Sequence, residues 1–222
     1  MDKYSELLMT IPLFAGIAGE NIPTLLKNLE AYTRTYHKNE YIRLSGDPAD
    51  FIGIVLSGNI QILQHDYYGN RSITASFGTG SLFGEAFACA GIPILPVDIL
   101  SGEDTTIMFM NRSRILSPCG GSCMFHHTLI GNLLTIVASK NMMLNQKLQY
   151  ISHRTTAEKL LAYLNDQAKL HASAEFTIPF DRQELADYLG VERSAMCAEI
   201  SKLVKAGILE TRRSYFRLIA QD

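Results

Sequence analysis

Turn signals recurring about every 8–12 residues constrain this chain more than any other feature in it. Ser45-Gly46-Asp47-Pro48, Ser57-Gly58-Asn59 and Tyr68-Gly69-Asn70 separate short runs rich in β-branched residues, such as residues 52–56 and 60–63. A parallel sheet needs a crossover connection of a dozen or more residues, usually a helix, and these pieces leave no room for one. Residues 32–111 therefore read as a small antiparallel roll or sandwich. A short helical region, about residues 21–31, precedes it.

The texture then changes. Residues 127–152, "HTLIGNLLTIVASKNMMLNQKLQYIS", contain no Pro and a single early Gly. Leu129, Leu133, Ile136, Val137, Met143, Leu144, Leu148 and Ile151 recur at spacings that fit a helical stripe. Such a helix is roughly 37 Å long. It is either a core helix or a helix paired with its own copy. The near-heptad spacing, and its place between two dissimilar regions, favour the pair.

A second helix is predicted over residues 156–170. After it, "DRQELADYLGVERSAMCAEISKLVKAGIL" reads as two short helices broken at Gly190, where a positive φ carries no steric cost. Asp181 caps the first in a capping-box arrangement with Glu184. Arg193 begins the second, which runs to Ala206 and stops at Gly207. "ILETRRSYFRLIA" follows as two strands around Arg212-Arg213-Ser214. Helix, turn, helix, wing is the order of a winged helix-turn-helix. The bland alternative is a helical pair with a solvated charged face, and the wing and the basic cluster weigh against it. The fold class is thus α+β: a roll over residues 1–126, a dimerisation helix over 127–152 and a winged helix-turn-helix over 153–222.

The net charge of −2 raises the question of whether such a chain binds nucleic acid. Phosphate binding depends on a local face rather than the total. Arg193, Lys202, Lys205, Arg212, Arg213 and Arg217 cluster against only Glu199 and Glu210. In this motif the second helix enters the major groove of double-stranded DNA, so Arg193 and Ser194 are placed to read base edges. Lys202, Lys205, Arg212 and Arg213 are placed for phosphates. Leu185, Ala186, Leu189, Met196, Ile200 and Leu203 would pack the helices together.

An apolar fraction of 47% with 19% charged residues describes a globular chain, and no apolar run approaches the roughly 18 residues of a membrane span. "MDKYSELLMTIPLF" lacks the basic-then-apolar order of a signal peptide, so a cytoplasmic location is expected. Cys89, Cys119, Cys123 and Cys197 then read as reduced thiols.

"IPLFAGI", "GDPADFIGIVLSGNIQIL", "GSLFGEAF" and "DRQELADYLGVERSAM" together carry a resemblance, over nearly the full length, to bacterial transcription regulators of the Crp/Fnr family. That resemblance implies an effector-sensing β-roll, a long dimer helix, a winged helix-turn-helix on a palindromic operator, a homodimer and RNA polymerase as a partner. Arg182 and Gln183 match the family's Arg-Gln pair that touches the DNA backbone, and Arg193 matches its leading base-reading Arg. Ser194 and Ala198 stand where the cAMP receptor protein has a Glu and a second Arg, which implies a different operator.

The effector site departs further. The Phe-Gly-Glu turn that cradles a cyclic nucleotide is present as Phe83, Gly84 and Glu85. Leu95 and Pro96, however, lie about where the phosphate-holding Arg-Ser or Arg-Thr pair belongs, and a phosphodiester buried without its cation is costly. Leu144 stands at the adenine-reading position of the dimer helix. Cyclic AMP is therefore not the expected ligand. Phe83, Ile94, Leu95, Met143, Leu144 and Leu148 would line either a site for a small hydrophobic effector or a filled core. The cofactor stays unassigned.

"CGGSCMFHH" offers Cys119, Cys123, His126 and His127 as a metal or redox site, although the spacing is not that of a zinc finger and two loop cysteines are the simpler reading. No metal site or catalytic residue is assigned. A metal-dependent enzyme on a double-stranded β fold would gather two or three His and a carboxylate inside the roll. The strand region has no His-x-His pair, and His37 and His65 read as isolated surface residues.

Overall fold

The computed structural model describes residues 2–65, 71–116 and 124–219. The Tyr68-Gly69-Asn70 turn signal and the Cys119 and Cys123 reading lie outside them. In chain order the elements are α1 (Ser5–Thr10), α2 (Ile22–Asn28), β1 (Tyr32–Tyr36), β2 (Tyr41–Arg43), β3 (Phe51–Ser57), β4 (Asn59–His65), β5 (Arg71–Gly78), β6 (Leu82–Phe83), α3 (Glu85–Ala90), β7 (Asp98–Ser101), β8 (Thr105–Asn111), α4 (Arg112–Leu116), α5 (Met124–Ser152), α6 (Thr156–Leu170), β9 (Glu175–Thr177), α7 (Arg182–Leu189), α8 (Arg193–Lys205), β10 (Leu209–Arg212) and β11 (Tyr215–Leu218). They form two compact units, Met1–Ala138 and Ser139–Asp222.

The first unit is built on two antiparallel four-stranded sheets, ordered β1-β8-β3-β6 and β2-β7-β4-β5. β3, "FIGIVLS", is buried from Phe51 to Leu56 because both its faces are covered. Phe51 and Val55 point into the roll with Phe83, Leu95, Ile99, Ile107 and Phe109. Ile52, Ile54 and Leu56 point the other way, onto Leu8, Leu13, Phe14, Leu25 and Leu26 of the N-terminal helical layer. The period-two alternation of a strand thus divides one apolar run between two cores. The strands are antiparallel, as the turn spacing requires, but one sheet face is covered by helices that the turn pattern does not reveal. α1, α3 and α4 are too short to leave a periodic signal, and the helix expected over residues 21–31 is confined to Ile22–Asn28.

The long helix begins at Met124, three positions before the expected start, and its 29 residues span about 43 Å. Its apolar stripe is buried only over the first part of the helix. Leu129 and Leu133 are buried against the N-terminal layer, with Ile136 and Val137 packed beside them. Asn132 Nδ2 donates to the carbonyls of Leu13 and Ala15 at 2.9 and 2.8 Å. Leu134, Met142, Met143, Leu144 and Leu148 are exposed instead.

In the second unit, α6 opens with Thr155 and Glu158 in a reciprocal capping box and buries Leu160, Tyr163 and Leu164. α7 and α8 pack beside it against a three-stranded sheet ordered β10-β11-β9. β9 is a third strand that the hairpin reading lacks; it pairs Phe176 with Phe216. Tyr150, Tyr163 and Tyr188 meet with centroids 5.6, 5.7 and 6.3 Å apart, and Tyr150 Oη donates to Asp166 at 3.1 Å.

Burial, and secondarily the Tyr188 phenol, push the Tyr163 hydroxyl up to about 12. A phenol whose folded-state value exceeds the ordinary value of 10 is neutral in both states at low pH, and only the unfolded chain ionises it just above 10. The stability contributed by Tyr163 is therefore fully present below pH 10 and is lost as pH rises from 10 towards 12. Alkaline melting curves of Tyr163→Phe should show a shallower decline than wild type. Equal slopes would rule out Tyr163 as the titrating group.

Candidate nucleic-acid interface and effector region

Local signals position the interface closely. Asp181 Oδ1 accepts from the amides of Gln183 and Glu184 at 2.7 and 2.8 Å, and Glu184 Oε2 accepts from the Asp181 amide at 2.8 Å. Gly190 ends α7 at φ 61°, and Val191 follows with its amide donating to the Ala186 carbonyl at 3.0 Å. Leu185, Ala186, Leu189, Met196, Ile200 and Leu203 are all buried where the two helices meet.

Glu192 caps α8, its carboxylate accepting from the Ala195 amide at 2.9 Å and from the Ser194 hydroxyl. These bonds hold its carboxyl below the usual carboxylate range, the Ser194 hydroxyl contributing most. Sequence reasoning missed Glu192, although an acidic residue immediately before the helix start is a recognisable N-terminal signal.

Asp181, Arg182, Gln183, Arg193, Arg213 and Ser214 line one cleft, which joins the starts of α7 and α8 to the wing turn. Arg182, Gln183, Arg193 and Arg213 of the expected DNA-contacting set therefore converge. Ser194 is exposed on the first turn of α8 outside that lining, and Lys202 and Lys205 lie in its last turn. Arg212 is exposed at the end of β10, and Arg213 turns the wing at φ 55°. Lys202 pairs with Glu199 at 2.6 Å. That exposed pair is worth about 0.2–1 kcal/mol and is easily exchanged for a phosphate.

Arg182 also supports the wing. Its Nη2 donates to Thr211 Oγ1 at 2.8 Å, and its guanidinium lies 4.7 Å from the Phe216 ring centre. The Thr211 hydroxyl in turn donates to the Tyr215 carbonyl at 2.7 Å. Cys197, expected as a small packing residue, is half-buried.

In the roll, Phe83 and Leu95 are each 1% exposed. The Phe83 ring packs edge-on to Phe51 and Phe109, with centroids 5.9 and 6.3 Å apart. It reaches across to Gly53, where a Cβ would lie 2.2 Å from its tip, so only glycine fits. The Phe83 and Leu95 side chains are thus packed within the roll core. Gly84 takes φ +78° against Phe51, and Glu85 is buried at the start of α3. Ile94 is 55% exposed and does not join the lining. In the second unit, Leu144 and Leu148 are 62% and 56% exposed on α5.

Residues 33–119 match the family model of the cyclic nucleotide-binding domain, and residues 157–221 match that of the Crp-like helix-turn-helix domain. The transcriptional activator protein FnrL of Cereibacter sphaeroides is 22% identical over 192 residues, 80% of this chain and 72% of that protein. Among solved structures, the catabolite activator protein of Thermus thermophilus aligns at 20% identity and a TM-score of 0.51, covering 94% of this chain and 93% of that one. The c-di-GMP responsive global regulator CLP of Xanthomonas campestris aligns at 19% identity and a TM-score of 0.53, covering 92% and 100%. A cyclic nucleotide-binding-type roll followed by a Crp-like helix-turn-helix defines a DNA-binding transcription regulator. The two domains in this order are those of a Crp/Fnr-type regulator.

Proposed function

We propose that this protein acts as a homodimer on a palindromic operator in double-stranded DNA, with one α8 in each of two major grooves about one turn apart. The observation that carries this reading is the cleft joining Arg182, Arg193 and Arg213 across α7, α8 and the wing. In the proposal Arg193 reads guanine, Arg182 and Gln183 hold the backbone, and Lys202, Lys205, Arg212 and Arg213 take phosphates.

Because the Ser194 hydroxyl donates to Glu192, it offers only lone pairs outward, as the carboxylate does. The base beside the guanine would then present an amino group, cytosine N4 or adenine N6. We divide the chain functionally into a sensing roll (1–126), a dimerisation helix (127–152) and a DNA-binding unit (153–222), working with RNA polymerase in the cytoplasm.

The signal differs from cAMP. Leu95 is buried in the roll core and Pro96 beside it carries no charge, so a cyclic phosphate finds no cation there. An effector would act through the Phe83-Gly84-Glu85 turn and Leu95 of the roll and, separately, through Leu144 and Leu148 of α5.

Selection of the full chain on random duplexes tests the reading, with affinity for the winner then measured against salt. The expected result is an inverted repeat carrying guanine beside an amino-bearing base, with log K falling by about 0.9 per phosphate contact for each unit of log salt. Recovery of no enriched sequence, or binding that ignores salt, would overturn it.

A further inference from the structure

We propose that the roll carries a binding site for a small oxyanion, a molecule bearing a carboxylate or phosphate group, between β1 and β2. Arg34, Arg43 and the hydroxyls of Tyr32 and Tyr36 build it. The site uses none of the residues assigned above to the effector, and its test does not depend on the DNA-binding reading.

Alternate residues of β1 share one face, so Tyr32, Arg34 and Tyr36 project together. They pair in register with Phe109, Ile107 and Thr105 of β8, and Phe109 and Ile107 belong to the roll core. Arg43 comes from the other sheet. Its guanidinium carbon lies 4.9 Å from the Phe109 ring centre and 5.1 Å from that of Phe51. Nη1 donates to the Ile42 carbonyl at 2.9 Å and Nη2 to Tyr32 Oη at 3.3 Å. A guanidinium has five N–H donors, so several remain for a ligand.

Arg34 stands on the opposite strand with its guanidinium carbon 5.0 Å from the Tyr36 ring centre. Tyr36 is 1% exposed, and its hydroxyl has no hydrogen-bond partner among the described residues. Tyr32 and Tyr36 both pack on the Phe109 ring, centroids 5.3 and 6.5 Å away, and Arg43 lies over the same ring, so the four groups share one neighbourhood.

What the cluster lacks, among the described residues, is a carboxylate. The acids of the adjoining turns are engaged elsewhere: Glu40 with the His37 amide at 2.8 Å, Asp47 with the Leu44 amide at 2.9 Å, and Asp104 with the Lys38 amide at 3.0 Å. Asp98, buried in β7, accepts from the Ser45 amide at 2.6 Å and lies 3.4 Å from His65. Two guanidiniums therefore lie beside the rings around a buried phenol, and neither forms an ion pair among the described residues. A planar carboxylate or a phosphate oxygen pair matches the arginine fork, and the Tyr36 hydroxyl would donate a further bond. The Phe51, Phe109 and Tyr32 rings keep one side of the cluster dry, which strengthens such charge-assisted bonds.

Titration calorimetry of the full chain with benzoate and with inorganic phosphate, at constant ionic strength, tests the site. One of the two should bind saturably below about 10 mM. Arg34→Gln, a change at an exposed side chain, should weaken it at least about tenfold, and Tyr36→Phe, which removes only the hydroxyl, several-fold. Arg34→Lys should recover part of the loss. Arg193→Gln should leave binding unchanged, which separates this site from the DNA cleft. Saturable binding that survives Arg34→Gln, or that Arg193→Gln abolishes, would overturn the proposal. So would the absence of saturation with either anion, even if an oligoglutamate peptide bound there instead. Melting midpoints and operator affinity of each variant, measured alongside, distinguish loss of this site from loss of fold or of DNA binding.

Discussion

Arg193→Ala is expected to lower affinity for the selected operator by roughly 5–150-fold per half-site, equivalent to about 1–3 kcal/mol. Affinity for unrelated duplexes should fall only slightly. Arg193 is exposed on the first turn of α8, in the cleft shared with Arg182, Gln183 and Arg213, and its fork can donate two bonds to the O6 and N7 of one guanine. Alanine removes both bonds and keeps helix propensity high, so α8 stays folded. Base preference at the contacted position should relax in a repeat selection. Lys205→Ala, at the other end of α8, should instead weaken all duplexes alike and reduce the salt slope by about 1. If Arg193→Ala retained full operator affinity, α8 would not be the reading helix.

Leu144→Glu combined with Leu148→Glu is expected to yield a folded monomer whose operator affinity is lower by about 10²–10⁴-fold, the loss of one tethered half-site. On α5, Leu134, Met142, Met143, Leu144 and Leu148 are 69%, 72%, 67%, 62% and 56% exposed, and the proposed dimer would cover Leu134, Leu144 and Leu148 on one face. Leu134, Asn141 and Leu148 are spaced by seven, the repeat that a coiled-coil seam would need. A lone Asn in such a seam favours a parallel, in-register pair. Burying each leucine against a second copy contributes about 1.5–3 kcal/mol, and a carboxylate there reverses the sign. Both side chains are exposed in the protomer, so its own melting transition should barely move. Sedimentation analysis decides: a double variant that still sediments as a dimer would place the interface elsewhere.

The legible parts of the site were the local ones. Asp181 with Glu184, Gly190 and Gly207 each act within a turn of the backbone, so the ends of α7 and α8 could be read directly, as could α6 from its periodicity. The convergence of Arg182, Gln183, Arg193 and Arg213 followed from that motif. Its detail did not. Glu192 took the cap and engaged Ser194, and Arg182 reached across to Thr211 on the wing. The apolar positions of α5 share one face, yet Leu129 and Leu133 are buried while Leu144 and Leu148 are exposed. Helical spacing gives the angle of a residue on its helix but not which neighbour lies at that angle.

The sequence by itself determined the antiparallel roll, the long helix and the helix-turn-helix with its wing, because turn chemistry, capping and periodicity are interactions between near neighbours in the chain. Only the tertiary structure decided that β3 serves two cores, that β9 joins the wing sheet and that Arg34 and Arg43, from different sheets, lie over Tyr36 and Phe109 of one core. Those contacts join residues far apart in sequence. Their partners are chosen by the packing of whole sheets and helices, which no local signal encodes.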